Sequence, residues 1–202
     1  QMDINKIHNQ DCLEAMKLMK DNQFDLAIVD PPYRDTNQPT KDMRANGSMK
    51  SLEGRPSKEY FKELKRVSKE QIIWGANNFE LPQWKGFVAW KKKTIGITFT
   101  MSMLEVASLS ENLGTTSKWI EIAPQNINRI HPTQKPVKLY EWLLMNYANE
   151  GDKILDTHLG SGSIAIACQN LGYDLTGYEL DKEYYENAIK RIKNHQAQTR
   201  IF

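Results

Sequence analysis

The sequence predicts an α/β fold built on a mostly parallel sheet, and three observations carry that expectation. Strand-length apolar runs alternate with helix-period segments along most of the 202 residues. Two apolar runs end in unusual turns: Leu26-Ala27-Ile28-Val29 runs into Asp30-Pro31-Pro32-Tyr33, and a later run ends at Asp156, followed by a turn carrying Gly160 and Gly162. Around the second turn a strand at 153–156, a helix over about 163–171 and a strand at 174–179 read as one βαβ unit.

The remaining elements follow in order. Asp11 with Glu14 reads as a capping box opening a helix that turns Leu13 and Met16 inward. The strand at 25–29 comes next. Residues 34–56 hold Pro39, Gly47, Gly54 and Pro56 among polar residues without period, the pattern of a long functional loop. Ser57 caps a helix with Tyr60, Phe61, Leu64 and Val67 on one face. Strands are expected at 72–74, 86–90 and 104–109. The stretch 110–135 is weakly patterned apart from Trp119-Ile120-Glu121-Ile122. Pro136 opens a helix with Tyr140, Leu143, Leu144 and Tyr147 inward, stopped by Gly151. The last helix is expected to bury Tyr185, Ala188, Ile189 and Ile192.

Length fits one domain over 1–202 with a substantial core. With 40% hydrophobic and 26% charged residues the composition is that of an ordinary soluble protein. The apolar runs are strand-sized, so no membrane span is expected, and no secretory pattern opens the chain. Cys12 and Cys168 form no C-x-x-C pair, which predicts a cytoplasmic chain with neither disulfide nor metal. A net charge of +2 does not by itself indicate nucleic acid. The distribution is more telling: Lys91-Lys92-Lys93 is a basic cluster, and Lys41, Arg44, Lys50, Arg55, Lys58, Lys62, Lys65 and Arg66 crowd one region, diluted by Glu53, Glu59 and Glu63. Such charge is either a solvated surface or a phosphate-facing edge.

The two strand-end turns carry the chemistry. In Asp30-Pro31-Pro32-Tyr33 the prolines fix a rigid extended backbone and remove two amide donors. The Asp30 carboxylate and the Pro31 carbonyl then form a pair of acceptors for both hydrogens of an exocyclic amine, with Tyr33 stacking on its ring. Such a pocket admits only an unpaired or flipped-out base. The plainer alternative is a turn with Tyr33 packed on the core. At the second turn, Gly160 and Gly162 let backbone approach a ligand closely. Glu179, 23 residues after Asp156, stands where an acid can take the two hydroxyls of a ribose. No lysine follows the glycines, which argues against a triphosphate loop. Here the alternative is a tight turn and a surface acid.

Together these segments resemble the amino-methyltransferases of DNA, in the group whose catalytic tetrapeptide precedes its cofactor glycines. His131-Pro132-Thr133-Gln134-Lys135-Pro136, Asn9-Gln10-Asp11-Cys12 and Ile72-Ile73-Trp74-Gly75-Ala76-Asn77 also resemble segments of that family, so the likeness spans nearly the whole chain. The resemblance implies the Rossmann-like fold of S-adenosylmethionine-dependent methyltransferases, with about seven mostly parallel strands and helices on both faces. It implies that Asp30, Pro31, Pro32 and Tyr33 hold the target amine and base. It implies that Asp11, Cys12, Asp30, His131, Thr133, Gln134, Lys135, Asp156, His158, Gly160, Ser161, Gly162, Ser163, Glu179 and Leu180 surround S-adenosylmethionine, without a metal. DNA is the implied partner, in a bacterial or phage-type setting, and a homodimer is compatible with the group. Aspartate at the head of the tetrapeptide resembles the adenine-modifying members; cytosine-N4 or RNA base methylation, a partner-dependent non-catalytic subunit and, more remotely, a nicotinamide dehydrogenase are the alternatives.

Two departures stand out. Thr157 and His158 replace the family's usual proline and phenylalanine; His158 is expected to pack in place of the aromatic ring, and His131 to anchor its loop rather than titrate in catalysis. Target reading is expected from loop 34–56 and the short segment 110–130. Arg34, Lys41, Arg44, Arg55, Lys91, Lys92 and Arg129 are the candidate contacts to nucleic acid.

Overall fold

The computed structural model describes residues 5–33, 36–37, 52–98, 102–125 and 129–199. Most of the loop at 34–56, with Arg34, Lys41 and Arg44, lies outside the described residues. At its base a two-residue antiparallel ladder joins β3 (Thr36–Asn37) to β4 (Leu52–Glu53).

The main sheet has eight strands in the order β1-β10-β9-β2-β5-β7-β6-β8. These are β1 (Asn5–His8), β2 (Phe24–Val29), β5 (Ser68–Trp74), β6 (Phe87–Lys92), β7 (Leu104–Leu109), β8 (Lys118–Ile122), β9 (Lys153–Asp156) and β10 (Asp174–Tyr178). All run parallel except β7, which is antiparallel to both β5 and β6. The start of β7 therefore lies at the same edge as the carboxyl ends of the other strands. β8, within the segment 110–130, pairs with β6 at the outer edge.

Helices α1 (Cys12–Lys17) and α2 (Lys58–Val67) cover one face, where Met16, Tyr60, Leu64 and Val67 meet Ala27, Val29 and Ile73. Helices α3 (Val137–Tyr147) and α4 (Ser163–Leu171) and helix α5 (Lys182–Thr199) supply the other face, where Leu139, Leu143, Ile164 and Ile192 meet Leu26, Ile28, Ile72 and Ile154. Several of these side chains have no exposed surface, and burial of each contributes about 1.5–3 kcal/mol.

Local chemistry sets the helix ends. Asp11 accepts hydrogen bonds from the amides of Leu13 and Glu14 at 2.8 and 3.1 Å. The reciprocal half of the expected capping box is replaced, because Glu14 pairs with Lys17 at 2.9 Å. Ser57 Oγ caps α2 through the Tyr60 amide, and Asp181 caps α5 through the amides of Glu183 and Tyr184. Pro136 is the cap of α3 rather than its first residue, and the helix ends at Tyr147, before Gly151. The buried seam of α5 is Tyr184, Ala188 and Ile192, at four-residue spacing; Tyr185 and Ile189 are only half-buried. This corrects the expected face. Among the described residues no helix is long and apolar enough to cross a membrane.

Candidate active site

Strand ends build the site. β2 delivers Asp30, β9 delivers Asp156 and Thr157, β10 is followed directly by Glu179, and β5 is followed by Gly75. They surround a cavity of about 690 Å³ lined by Asp11, Cys12, Asp30, Pro31, Pro32 and Tyr33, by His131, Thr133, Gln134 and Lys135, and by His158, Gly160, Ser161, Ser163, Glu179 and Leu180. Thus most residues singled out in the sequence converge on one space. Of the candidate catalytic and cofactor residues two do not line it: Asp156 is buried, and Gly162 is the cap of α4.

On the tetrapeptide side, Tyr33 donates its hydroxyl to Asp30 Oδ1 at 2.7 Å. Asp30 Oδ2 receives the ammonium of Lys135. Burial, reinforced by the neighbouring Glu105 and opposed by Lys135 and Tyr33, raises the Asp30 carboxyl above its ordinary range. Burial also holds the Tyr33 phenol well above its usual value, so it stays protonated. The Tyr33 ring lies against Gly75 and meets Phe79 edge-on at 6.1 Å, and its carbonyl accepts from Arg55 at 3.0 Å.

On the glycine side, Glu179 is fixed by two backbone donors, Gly160 N–H to Oε2 at 2.8 Å and Asp181 N–H to Oε1 at 2.9 Å. Gly160 has φ +54°, and a Cβ there would meet the His131 ring at 3.3 Å. His131 packs edge-on to Tyr184 at 4.5 Å, and its Nδ1 lies 3.3 Å from the Thr133 amide. Burial lowers its pKa to about 3, so it is neutral and holds its loop in place. His158 packs edge-on to Tyr60 at 5.4 Å and bonds to Thr157 Oγ1 at 2.9 Å, while Thr157 in turn bonds to the Tyr60 hydroxyl at 2.6 Å. Burial lowers its pKa to about 4. The ring packs as an aromatic would, tied by a polar chain that phenylalanine cannot make. Asp156 accepts the His158 amide at 3.0 Å, and burial raises its pKa to about 8.

Two charged residues sit differently from their sequence expectation. Lys92, expected on a basic surface, is buried and pairs with Glu105 at 2.6 Å. Arg129 folds onto its own loop and donates to the Pro132 carbonyl. Lys135, expected among the cofactor residues, lines the cavity and pairs with Asp30. Lys91 remains at the surface, 3.4 Å from Glu121, and Arg55 is exposed beside Tyr33. Glu105 was not singled out in the sequence. Its one signal is an acid inside a strand that is apolar apart from Ser108. Among the described residues no cluster of side chains suited to a metal ion is found.

The sheet order, its one reversed strand and the cavity at the strand ends define the class: an α/β protein with the fold of S-adenosylmethionine-dependent methyltransferases. The same fold appears in M1.HpyAVI, solved as a SAM complex, with a TM-score of 0.65 and 22% identity over 93% of this chain and 98% of that one. PvuII DNA methyltransferase, described as cytosine-N4-specific, gives a TM-score of 0.63 at 11% identity, covering 95% of this chain and 90% of that one. Sequence narrows the class. Residues 91–190 match the DNA methylase family. The Type II methyltransferase M.HpaI of Haemophilus parainfluenzae is 28% identical over 89% of this chain and 71% of its own length. These matches support a DNA amino-methyltransferase.

Proposed function

We propose that this chain methylates the N6 amino group of an adenine flipped out of DNA, with S-adenosylmethionine as the donor. The observation that carries the reading is that Asp30 and Tyr33 open into the same cavity as Gly160 and Glu179. An amine clamp and a nucleoside cradle that share one space favour group transfer between their ligands.

The residues present fit the donor. Glu179, oriented by two amides, offers carboxylate oxygens suited to a ribose diol. The side-chain-free Gly160 leaves room for close approach. With Asp11, Asp30, Glu179 and Asp181 against Lys135 and Lys182, the lining holds more acids than ammoniums, which suits a cationic ligand. His131, Thr133 and Gln134 complete the wall, and Asp156 lies beneath it. When bound, S-adenosylmethionine supplies an electrophilic methyl group on a sulfonium.

The chain's own residues do the rest by orientation and electrostatics. Asp30 and the Pro31 carbonyl accept the two amine hydrogens and leave the nitrogen lone pair directed toward the donor side. Positive charge develops on that nitrogen as its new bond forms, and the Asp30 carboxylate stabilises it and stands in line for the departing proton. Tyr33 stacks on the base, held by its hydroxyl to Asp30.

Aspartate at the head of the tetrapeptide supports adenine. The shared fold with a cytosine-N4-specific enzyme keeps N4 methylation of cytosine as the second reading. The test incubates purified protein with labelled S-adenosylmethionine and mixed-sequence DNA, then separates the digested nucleosides. N6-methyladenine is the expected product, and label in N4-methylcytosine alone overturns the adenine assignment. Asp30→Ala is expected to lose about 10²–10³-fold in transfer rate; an unchanged rate removes Asp30 from the chemistry.

A further inference from the structure

Behind Asp30 the structure holds a set of charges that the transfer reaction described above does not use, with the Arg129 guanidinium also within electrostatic reach of Glu105. Lys135 Nζ contacts Asp30 Oδ2 on one side and Glu105 Oε2, at 2.9 Å, on the other. Lys92 Nζ lies 2.6 Å from the second oxygen of Glu105. The Tyr33 hydroxyl, 2.7 Å from Asp30, is also 3.5 Å from Glu105 Oε2. Only 2% of the Lys135 side chain is exposed, and the figures for Lys92 and Glu105 are 10% and 19%. The rings of Trp74 and Tyr33 flank the Lys135 ammonium, at 5.3 and 5.9 Å.

Topology brings these groups together. Because β7 is reversed, Glu105 near its start stands at the edge where β2 releases Asp30 and β6 ends at Lys92. Taking ions out of water costs several kcal/mol each, and a buried ion pair often returns less than a well-packed apolar substitute. One carboxylate and two ammoniums packed behind the Asp30 carboxylate of an amine clamp are therefore a costly way to fill space.

We infer that Glu105, held by Lys92, is a positioning residue for Asp30 and acts through Lys135 to fix the orientation and charge of that carboxylate. The inference rests on Asp30 being the acceptor for the target amine. Lys135 alone would place a full positive charge on Asp30 and weaken it as an acceptor. Sharing the ammonium with Glu105 restores acceptor strength, and Lys92 balances the second acid so that the set stays neutral. Glu105 is suited to the part. Burial alone would raise its pKa, but the ammoniums of Lys135 and Lys92 outweigh that and hold it at about 2, so it is a permanent anion beside a carboxyl that stands high. The other groups whose charge bears on Asp30 are Tyr33, Tyr60 on α2, Tyr140 on α3 and Asp156 at the end of β9. All three phenols are held well above their usual values by burial and stay neutral.

The test measures Asp30 directly. Protein labelled with ¹³C at the aspartate carboxyls is titrated by NMR, with the Asp30 resonance assigned by its loss in Asp30→Asn. Glu105→Gln, which keeps size and hydrogen-bonding capacity, is expected to lower the Asp30 midpoint by about one pH unit. Lys92→Met is expected to raise it. In methyl transfer, Glu105→Gln should lower kcat about tenfold. The acid limb of its pH profile should move down with the midpoint, and KM for S-adenosylmethionine should stay within about twofold. A midpoint unmoved in both variants overturns the inference, even if both melt at lower temperature, because a purely structural ion pair predicts that result. Failure of the underlying reading looks different: methyl transfer that survives Asp30→Ala removes the amine acceptor, whatever the titration shows.

Discussion

Gly75 decides where Tyr33 can lie. It has φ +67°, a conformation open to glycine, and a Cβ added there would overlap the Tyr33 ring. Gly75→Ala should therefore cost about 1–3 kcal/mol of stability and displace the ring from Asp30. Thermal unfolding and the methyl-transfer rate should both fall, and a variant with parental melting temperature and rate would show that the ring has another seat. Tyr33→Phe, which keeps the ring and loses only the hydroxyl contacts to Asp30 at 2.7 Å and Glu105 at 3.5 Å, should be milder than Tyr33→Ala in binding a single-stranded oligonucleotide. Stacking is worth about 1–3 kcal/mol per base, so equal losses in the two variants would remove it from the account. At this scale the sequence was legible where chemistry is contiguous. Asp30 to Tyr33 are neighbours in the chain, and the structure places all four on the cavity at the strand ends. The pairing of Glu105 with Lys92 was not legible, because Glu105 is one charged residue inside a strand and Lys92 reads as part of a basic surface cluster. Only the reversal of β7, a property of the sheet, carries Glu105 to the edge where it stands between Lys92, at the end of β6, and the Lys135–Asp30 pair.

Helix ends show the same division at the level of elements. Asp11 was readable as a cap from its type and place, and it does cap α1. Whether it also serves the cofactor can be separated experimentally. Asp11→Ala should cost about 1 kcal/mol of stability, and Asp11→Ser should restore most of it by supplying another capping oxygen. If Asp11 also contacts the donor, S-adenosylmethionine affinity by calorimetry stays weakened in the Ser variant; recovery of both quantities together leaves it a cap alone. The last helix was read less well. Tyr184 and Tyr185 are adjacent and equally apolar, so spacing within the helix could not choose between them. Contact with His131, 53 residues earlier in the chain, draws Tyr184 inward. β1 was passed over because only four residues form it and three of them are polar or charged. Parallel pairing with β10 makes it a strand. Periodicity thus located the helices well, whereas short edge strands depend on partners that a local window does not contain.

Across the whole molecule, the buried ionisable groups at the carboxyl edge of the sheet set how stability follows pH. His131 and His158 are lowered from 6.5 to about 3 and about 4, chiefly by burial. Their contribution is complete above about pH 6.5 and is lost as pH falls through those folded values. Asp156 behaves oppositely. Burial raises it from 3.8 to about 8, so its contribution is complete below the unfolded value and is lost as pH rises through about 8. Asp30 and Glu179, also raised chiefly by burial, act in the same sense. Above about pH 6.5 the histidine contributions no longer change while that of Asp156 continues to fall, so stability should decline from mildly acidic pH toward pH 8. Asp156→Asn tests this with little change of shape, since the amide oxygen can still accept the His158 N–H seen at 3.0 Å. The variant's stability relative to the parent should improve by about 1–2 kcal/mol between pH 6.5 and 8 in denaturant titrations. Parallel curves for parent and variant across that interval would show that Asp156 is already ionised when folded, and that the fall toward pH 8 has another source.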